Sequence, residues 1–142
     1  MNCYPVKLIK PLSEHKIFLW IAVSWTVFVT YCCLVDLNSL PDSGDLKQLD
    51  KPGHMGFHFG ITLFWYLYFR FQKEFLLRKA ILCAVAFSLA FGISIELIQA
   101  FCTTNRSGDL LDVCANATGS LLAIVLVASV GSIRNGMRNP QP

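Results

Sequence analysis

Residues 80–101 read "AILCAVAFSLAFGISIELIQAF", twenty-two positions in which Glu96 is the only charge. A helix of that length reaches about 33 Å, enough to cross a hydrocarbon core of roughly 30 Å. A lone carboxylate there is costly unless it meets a partner or water. Glu96 therefore predicts polar neighbours supplied by other parts of the chain.

Two more stretches have the same character. Ile17–Val35 is nineteen residues without a charge, and Val113–Val130 is eighteen. His54–Phe69 is only sixteen residues and contains His58, but beside three stronger spans it reads as a fourth crossing. Hydrophobic residues make up 54% of the chain and charged ones 15%, too apolar for an ordinary soluble domain. With 142 residues there is room for one domain. The expected fold is all-α: a polytopic membrane protein, a single domain over 1–142, built as a four-transmembrane-helix bundle with spans at about 17–35, 54–69, 80–101 and 111–130. Lys7, Lys10 and Lys16 before the first apolar run resemble a signal peptide. That run is long for one and no A-x-A site follows, so a retained span is expected.

The formal charge of +3 does not form a patch, and no aromatic-basic motif accompanies it, so nucleic acid is not an expected partner. The basic residues sit at the ends of the apolar runs. Lys7, Lys10, Lys16, Arg70, Lys73, Arg78, Lys79, Arg134 and Arg138 fall on one side of a four-span topology, leaving Lys47, Lys51 and Arg106 on the other. The positive-inside rule then places both termini in the cytoplasm. Six cysteines show neither a CxxC pair nor metal-ligand spacing and read as free, small apolar residues.

In this topology the polar residues gather at one depth. Glu96 lies about 24 Å along the third span, near its outer end. The second span opens at "LDKPGHMGFHFG" (residues 49–60) and the fourth at "NRSGDLLDVCAN" (residues 105–116), both from the outer side. His54 and His58 share a helix face, as do Glu96 and Gln99, and as do Asp109, Asp112 and Asn116. Asp50 and Lys51 before Pro52 suit a helix start, and Ser107 or Asp109 could cap the fourth span. Gly56-x-x-x-Gly60, Ser88-x-x-x-Gly92 and Ala115-x-x-x-Gly119-x-x-x-Ala123 allow close helix approach.

Blander readings exist for each residue. Glu96 can be a structural carboxylate neutralised by Arg106, His54 an interfacial histidine, and His58 a hydrogen-bonded packing residue. "FWYLYFRF" (residues 64–71) reads as an interface belt. A metal site from His54, His58, Glu96 and the aspartates has no HExxH-type spacing behind it, so no metal and no cofactor is expected. No elbow motif supports a nucleophilic triad.

The ordered motifs "DKPGH" (50–54), "ELIQ" (96–99) and "RSGDLLDVCANATG" (106–119) resemble the VanZ-like family of small membrane proteins. The resemblance covers roughly residues 15–130. Its pattern falls on Asp50, Lys51, His54, Glu96, Gln99, Arg106, Asp112, Asn116 and Gly119, and Asp109 fits a polar position before the last aspartate. It implies a four-helix membrane domain in the bacterial inner (plasma) membrane. The family is named for a protein associated with lowered susceptibility to the glycopeptide teicoplanin.

The expected function is an outward-facing polar pocket binding membrane lipids or a cell-envelope ligand, lipid-linked or related to peptidoglycan, with a connection to glycopeptide susceptibility. Arg106 and Lys51 would hold anionic groups, and Glu96, His54 and Asp112 would set the hydrogen bonding. Two alternatives stand beside it. One is a membrane enzyme with His54 or Glu96 as general base and Arg106 stabilising charge. The other is a non-catalytic assembly subunit whose polar cluster fixes helix register.

Overall fold

The computed structural model describes residues 14–34, 50–102 and 110–138. They form four α-helices: α1 (Glu14–Leu34), α2 (Asp50–Leu67), α3 (Leu77–Cys102) and α4 (Leu110–Arg138). Three of these contain segments long and apolar enough to cross a membrane: Lys16–Leu34 in α1, Leu77–Phe101 in α3 and Leu110–Gly131 in α4. Helix α4 continues to Arg138, beyond the expected end near residue 130. Apolar composition stops where polar side chains begin, but backbone hydrogen bonding does not.

Helix α2 is the exception in composition and the centre in packing. It contacts each of the other three helices, α4 most extensively. It begins at Asp50, and Pro52 occupies its first turn, where a missing N–H leaves no bond unmade. Its inward face carries His54, His58 and Thr62, all buried. The charged start Asp50–Lys51, added to these polar residues within only 18 positions, leaves α2 without a stretch as apolar as those in the other helices.

The far end of α2 widens into a π-helical turn, Tyr68–Gln72. Lys73 N donates to Tyr68 O and Phe75 N to Phe69 O, each at 3.0 Å. Glu74 then takes a left-handed conformation, φ 56°, as the chain turns into α3. Within the aromatic run, Trp65 is drawn into the bundle. It packs against Phe87, ring centroids 4.2 Å apart and tilted by 37°, and donates its indole N–H to Thr26 Oγ1 at 3.1 Å. At the helix end beyond it, Lys79 stands 4.2 Å over the Phe75 ring and Arg70 5.8 Å over Phe71.

The bundle is inverted relative to a soluble protein. Buried apolar residues are mainly small or medium-sized, such as Ala22, Ala80, Ala84 and Ala123, and buried polar ones include Ser88, Glu96, Asn116 and Ser120. Large apolar side chains point outward: Phe101 is 83% exposed and Leu97 52%, one residue from buried Glu96. Water would drive such residues inward, whereas lipid does not.

Small residues set the helix spacing. A Cβ on Gly119 of α4 would collide with the carbonyl oxygen of Met55 on α2, and one on Gly60 would collide with the Trp25 indole. Gly56 has nothing within 4 Å, so only one glycine of the expected 56/60 pair makes a close approach. Trp25 also donates its indole N–H to Phe57 O at 3.2 Å, joining α1 to α2.

Candidate functional site

The inward residues of α2, α3 and α4 form three polar layers, each layer one helical turn from the next. Along α2 they are His54, His58 and Thr62; along α4, Asp112, Asn116 and Ser120; along α3, in reverse order, Glu96, Gly92 and Ser88. Spacings of four keep such residues on one ridge of a helix. The rising numbers on α2 and α4 and the falling numbers on α3 mark two parallel helices and one antiparallel to them.

The outermost layer holds the ionisable groups. One nitrogen or oxygen from each of His54, Glu96 and Asp112 lies within 4.8 Å of the others, and all three residues are buried. Lys51 Nζ approaches Asp112 Oδ1 at 3.8 Å from a half-exposed position at the helix start. Asp112 sits in the first turn of α4, where the helix dipole favours negative charge.

In the middle layer Gly92 is essential to the fit. A Cβ there would stand 2.8 Å from His58 Cε1 and 2.9 Å from Asn116 Nδ2. The innermost layer is a hydroxyl cluster, in which Ser120 Oγ lies 3.0 Å from both Thr62 Oγ1 and Ser88 Oγ. Hydrogen bonds tie the layers together. His54 Nδ1 is 3.2 Å from Asn116 Oδ1, His58 Nδ1 is 2.8 Å from Ser88 Oγ, and Ser120 Oγ donates to Asn116 O at 3.0 Å. An amide oxygen only accepts, so the His54 imidazole donates from Nδ1, which in the neutral ring leaves the lone pair on Nε2.

The candidate residues divide accordingly. Lys51, His54, Glu96, Asp112 and Asn116 come together from three helices. Gln99 is buried but also faces α1, where its Nε2 donates to Cys33 O at 2.8 Å. Asp50 is the first residue of α2. Arg106 and Asp109, with Ser107, lie outside the described residues. His58 hydrogen-bonds to Ser88 and is not part of the ionisable layer.

Ser88, Thr62 and Ser120 join the site without being among the candidate site residues the sequence motifs mark. Their signal was the four-residue spacing, since each extends a ridge already marked by His54, Glu96 or Asp112.

Chemically, the outer layer is rich in acceptors: two carboxylates and an imidazole lone pair can take a cation, a proton or hydroxyl donors. Lys51 adds one cationic group at its edge. An open surface groove of about 810 Å³ lies elsewhere, on the α1–α2 face between Lys16, Trp20, Trp25, Phe28 and Phe64. Apart from Lys16 and Ser24 its lining is apolar, and no residue of the ionisable layer borders it.

An inverted helical bundle with three helices apolar enough for crossing defines the class as a multi-pass membrane protein. The sequence model of the VanZ/LLP1 family matches residues 38–131, about two-thirds of the chain, and the chain belongs to that family. No curated protein and no solved structure matches it.

Proposed function

We propose that this VanZ/LLP1 protein binds the polar part of a cell-envelope lipid, or a related peptidoglycan precursor, at the outer end of a four-span bundle. In this reading both termini are cytoplasmic, the membrane is the bacterial inner membrane, and α2 is the fourth crossing, shielded by its neighbours. The distribution of Lys and Arg along the chain supports that orientation.

One observation carries the proposal: three helices bring His54, Glu96 and Asp112 within 4.8 Å of one another. Burying two carboxylates and an imidazole together is unfavourable for stability alone, and such groups inside membrane segments mark functional sites. Lys51 meets an anionic group such as a phosphate. The carboxylates and His54 Nε2 accept hydrogen bonds from hydroxyls or amides of the same ligand. Arg106, close by in sequence, adds a second cation.

The test is lipid mass spectrometry on the full-length protein purified in detergent. The wild type retains a distinct anionic envelope lipid, and Glu96→Gln and Lys51→Ala lose it while remaining monodisperse. A wild type carrying only the bulk membrane composition contradicts the proposal. Parallel measurement of teicoplanin-type susceptibility in cells producing these variants tests the connection to glycopeptides.

A second reading is catalytic. The bond from His54 Nδ1 to Asn116 leaves Nε2 as a general base beside the ligand. Turnover of the retained lipid by the wild type, abolished in His54→Ala, separates catalysis from binding. The assembly-subunit reading predicts instead that these substitutions lower stability and leave ligand retention unchanged.

A further inference from the structure

We propose that His54, Glu96 and Asp112 form a binding site for one divalent transition-metal cation of the zinc class. This goes beyond ligand binding and is tested without any lipid.

The geometry comes first. In a tetrahedral zinc site, bonds of about 2.0–2.2 Å place donor atoms roughly 3.4 Å apart. Here one donor atom from each residue lies within 4.8 Å of the other two. Side-chain rotation would have to close the remaining difference. One nitrogen and two carboxylate oxygens suit zinc and its first-row neighbours better than magnesium or calcium, which favour oxygen throughout.

The surroundings are those of a metal ligand set. His54 is 4% exposed, Glu96 7% and Asp112 7%, so the donors are screened from water. Metal-bound histidines use one ring nitrogen and donate the other N–H to a fixed acceptor, which sets the tautomer. Asn116 Oδ1, 3.2 Å from His54 Nδ1, is such an acceptor. The Asn116 amide is buried and packs over Gly92, where a Cβ would meet its Nδ2.

Charge points the same way. Two carboxylates this close favour a shared cation or a proton between them. The Lys51 ammonium is half exposed and 3.8 Å from Asp112, at the edge of the three residues. Three protein donors leave a fourth coordination position for water or a ligand atom, the pattern of reactive rather than structural zinc sites. The ligands come from three helices, so no short motif in the sequence reveals them.

The experiment loads chelator-stripped, full-length protein in detergent with Co²⁺ alone, then displaces it with Zn²⁺. The expected result is one metal per chain. The Co²⁺ spectrum shows ligand-field bands of nitrogen and oxygen coordination and lacks the sulfur charge-transfer band that cysteine ligation gives. His54→Ala, Glu96→Gln and Asp112→Asn each weaken binding at least tenfold, and Asn116→Ala weakens it by about ten- to a hundredfold through the imidazole. Lys51→Met leaves it unchanged or tighter. A folded wild type that binds no stoichiometric metal overturns the proposal, as does a thiolate band or full binding in all three ligand variants. The wild-type result decides even if a variant fails to fold, and loss of metal binding alone leaves the lipid proposal standing.

Discussion

Gly119 of α4 faces the carbonyl oxygen of Met55 on α2 with no room for a side chain between them. This contact locks the two parallel helices at the depth of the polar layers. Any Cβ there pushes α4 away from α2 and separates Asn116 from His54. Gly119→Ala is expected to cost about 2 kcal/mol or more, in the upper range of overpacking effects. Gly56→Ala, at a position with nothing within 4 Å, is expected to be neutral or slightly stabilising. Unfolding of both variants in micelles provides the comparison.

Ser120 is the hub of the innermost layer, bonded to Thr62, Ser88 and the Asn116 carbonyl. Removing its hydroxyl leaves the buried hydroxyls of Thr62 and Ser88 to rearrange and takes one bond from the Asn116 carbonyl. Ser120→Ala should cost about 1–2 kcal/mol, somewhat above the average for hydrogen bonds within membranes. Ser94→Ala is the control, since Ser94 is exposed and bonds only to Ala90 O one turn back. It should change stability by less than about 0.5 kcal/mol.

Lys51 and Asp112 are 3.8 Å apart, with the lysine half in solvent. Lys51 is half exposed and its contact with buried Asp112 is long, so Lys51→Met should cost no more than about 1–2 kcal/mol even though it removes a cation from beside a buried carboxylate. Its predicted effect is on retention of an anionic ligand. A large stability loss would instead assign Lys51 a structural role.

Glu74, at φ 56°, holds a conformation that costs a side-chain-bearing residue about 1 kcal/mol relative to glycine. Glu74→Gly should therefore stabilise the turn between α2 and α3 by up to that amount, offset in part by the greater freedom of glycine in the unfolded chain. Thermal unfolding of the variant reads the sign.

The apolar helices were legible because a bilayer imposes length and composition together. Ile17–Val35, Ala80–Phe101 and Val113–Val130 carry both signals. The segment after Asp50 was harder to assign, because the most central helix has a charged start and buries two histidines and a threonine over a short apolar run. Glu96, His54 and Asp112 stood out as ionisable residues in or bordering apolar sequence. Ser88, Thr62 and Ser120 did not, for a physical reason. A serine or threonine in a helix can satisfy itself on the carbonyl four residues back, as Ser94, Thr118 and Ser129 do, so its presence predicts no partner. The π-helical turn at Tyr68–Gln72 had no sequence marker, since it arises from how the aromatic end of α2 meets α1 and α3. The metal-ligand geometry was hidden for the same kind of reason, because it exists only in the register between helices.

That register is the centre of the account, and pairwise cysteine cross-linking in a cysteine-free background measures it directly in membranes. Position 54 should cross-link efficiently to both 96 and 112, and position 120 to both 62 and 88. The cross-layer pair 54–88 should not react. Efficient cross-linking of 54 to 88, or failure of 54 to reach 112 in protein that has inserted normally, would show that the three helices do not align their polar residues in layers.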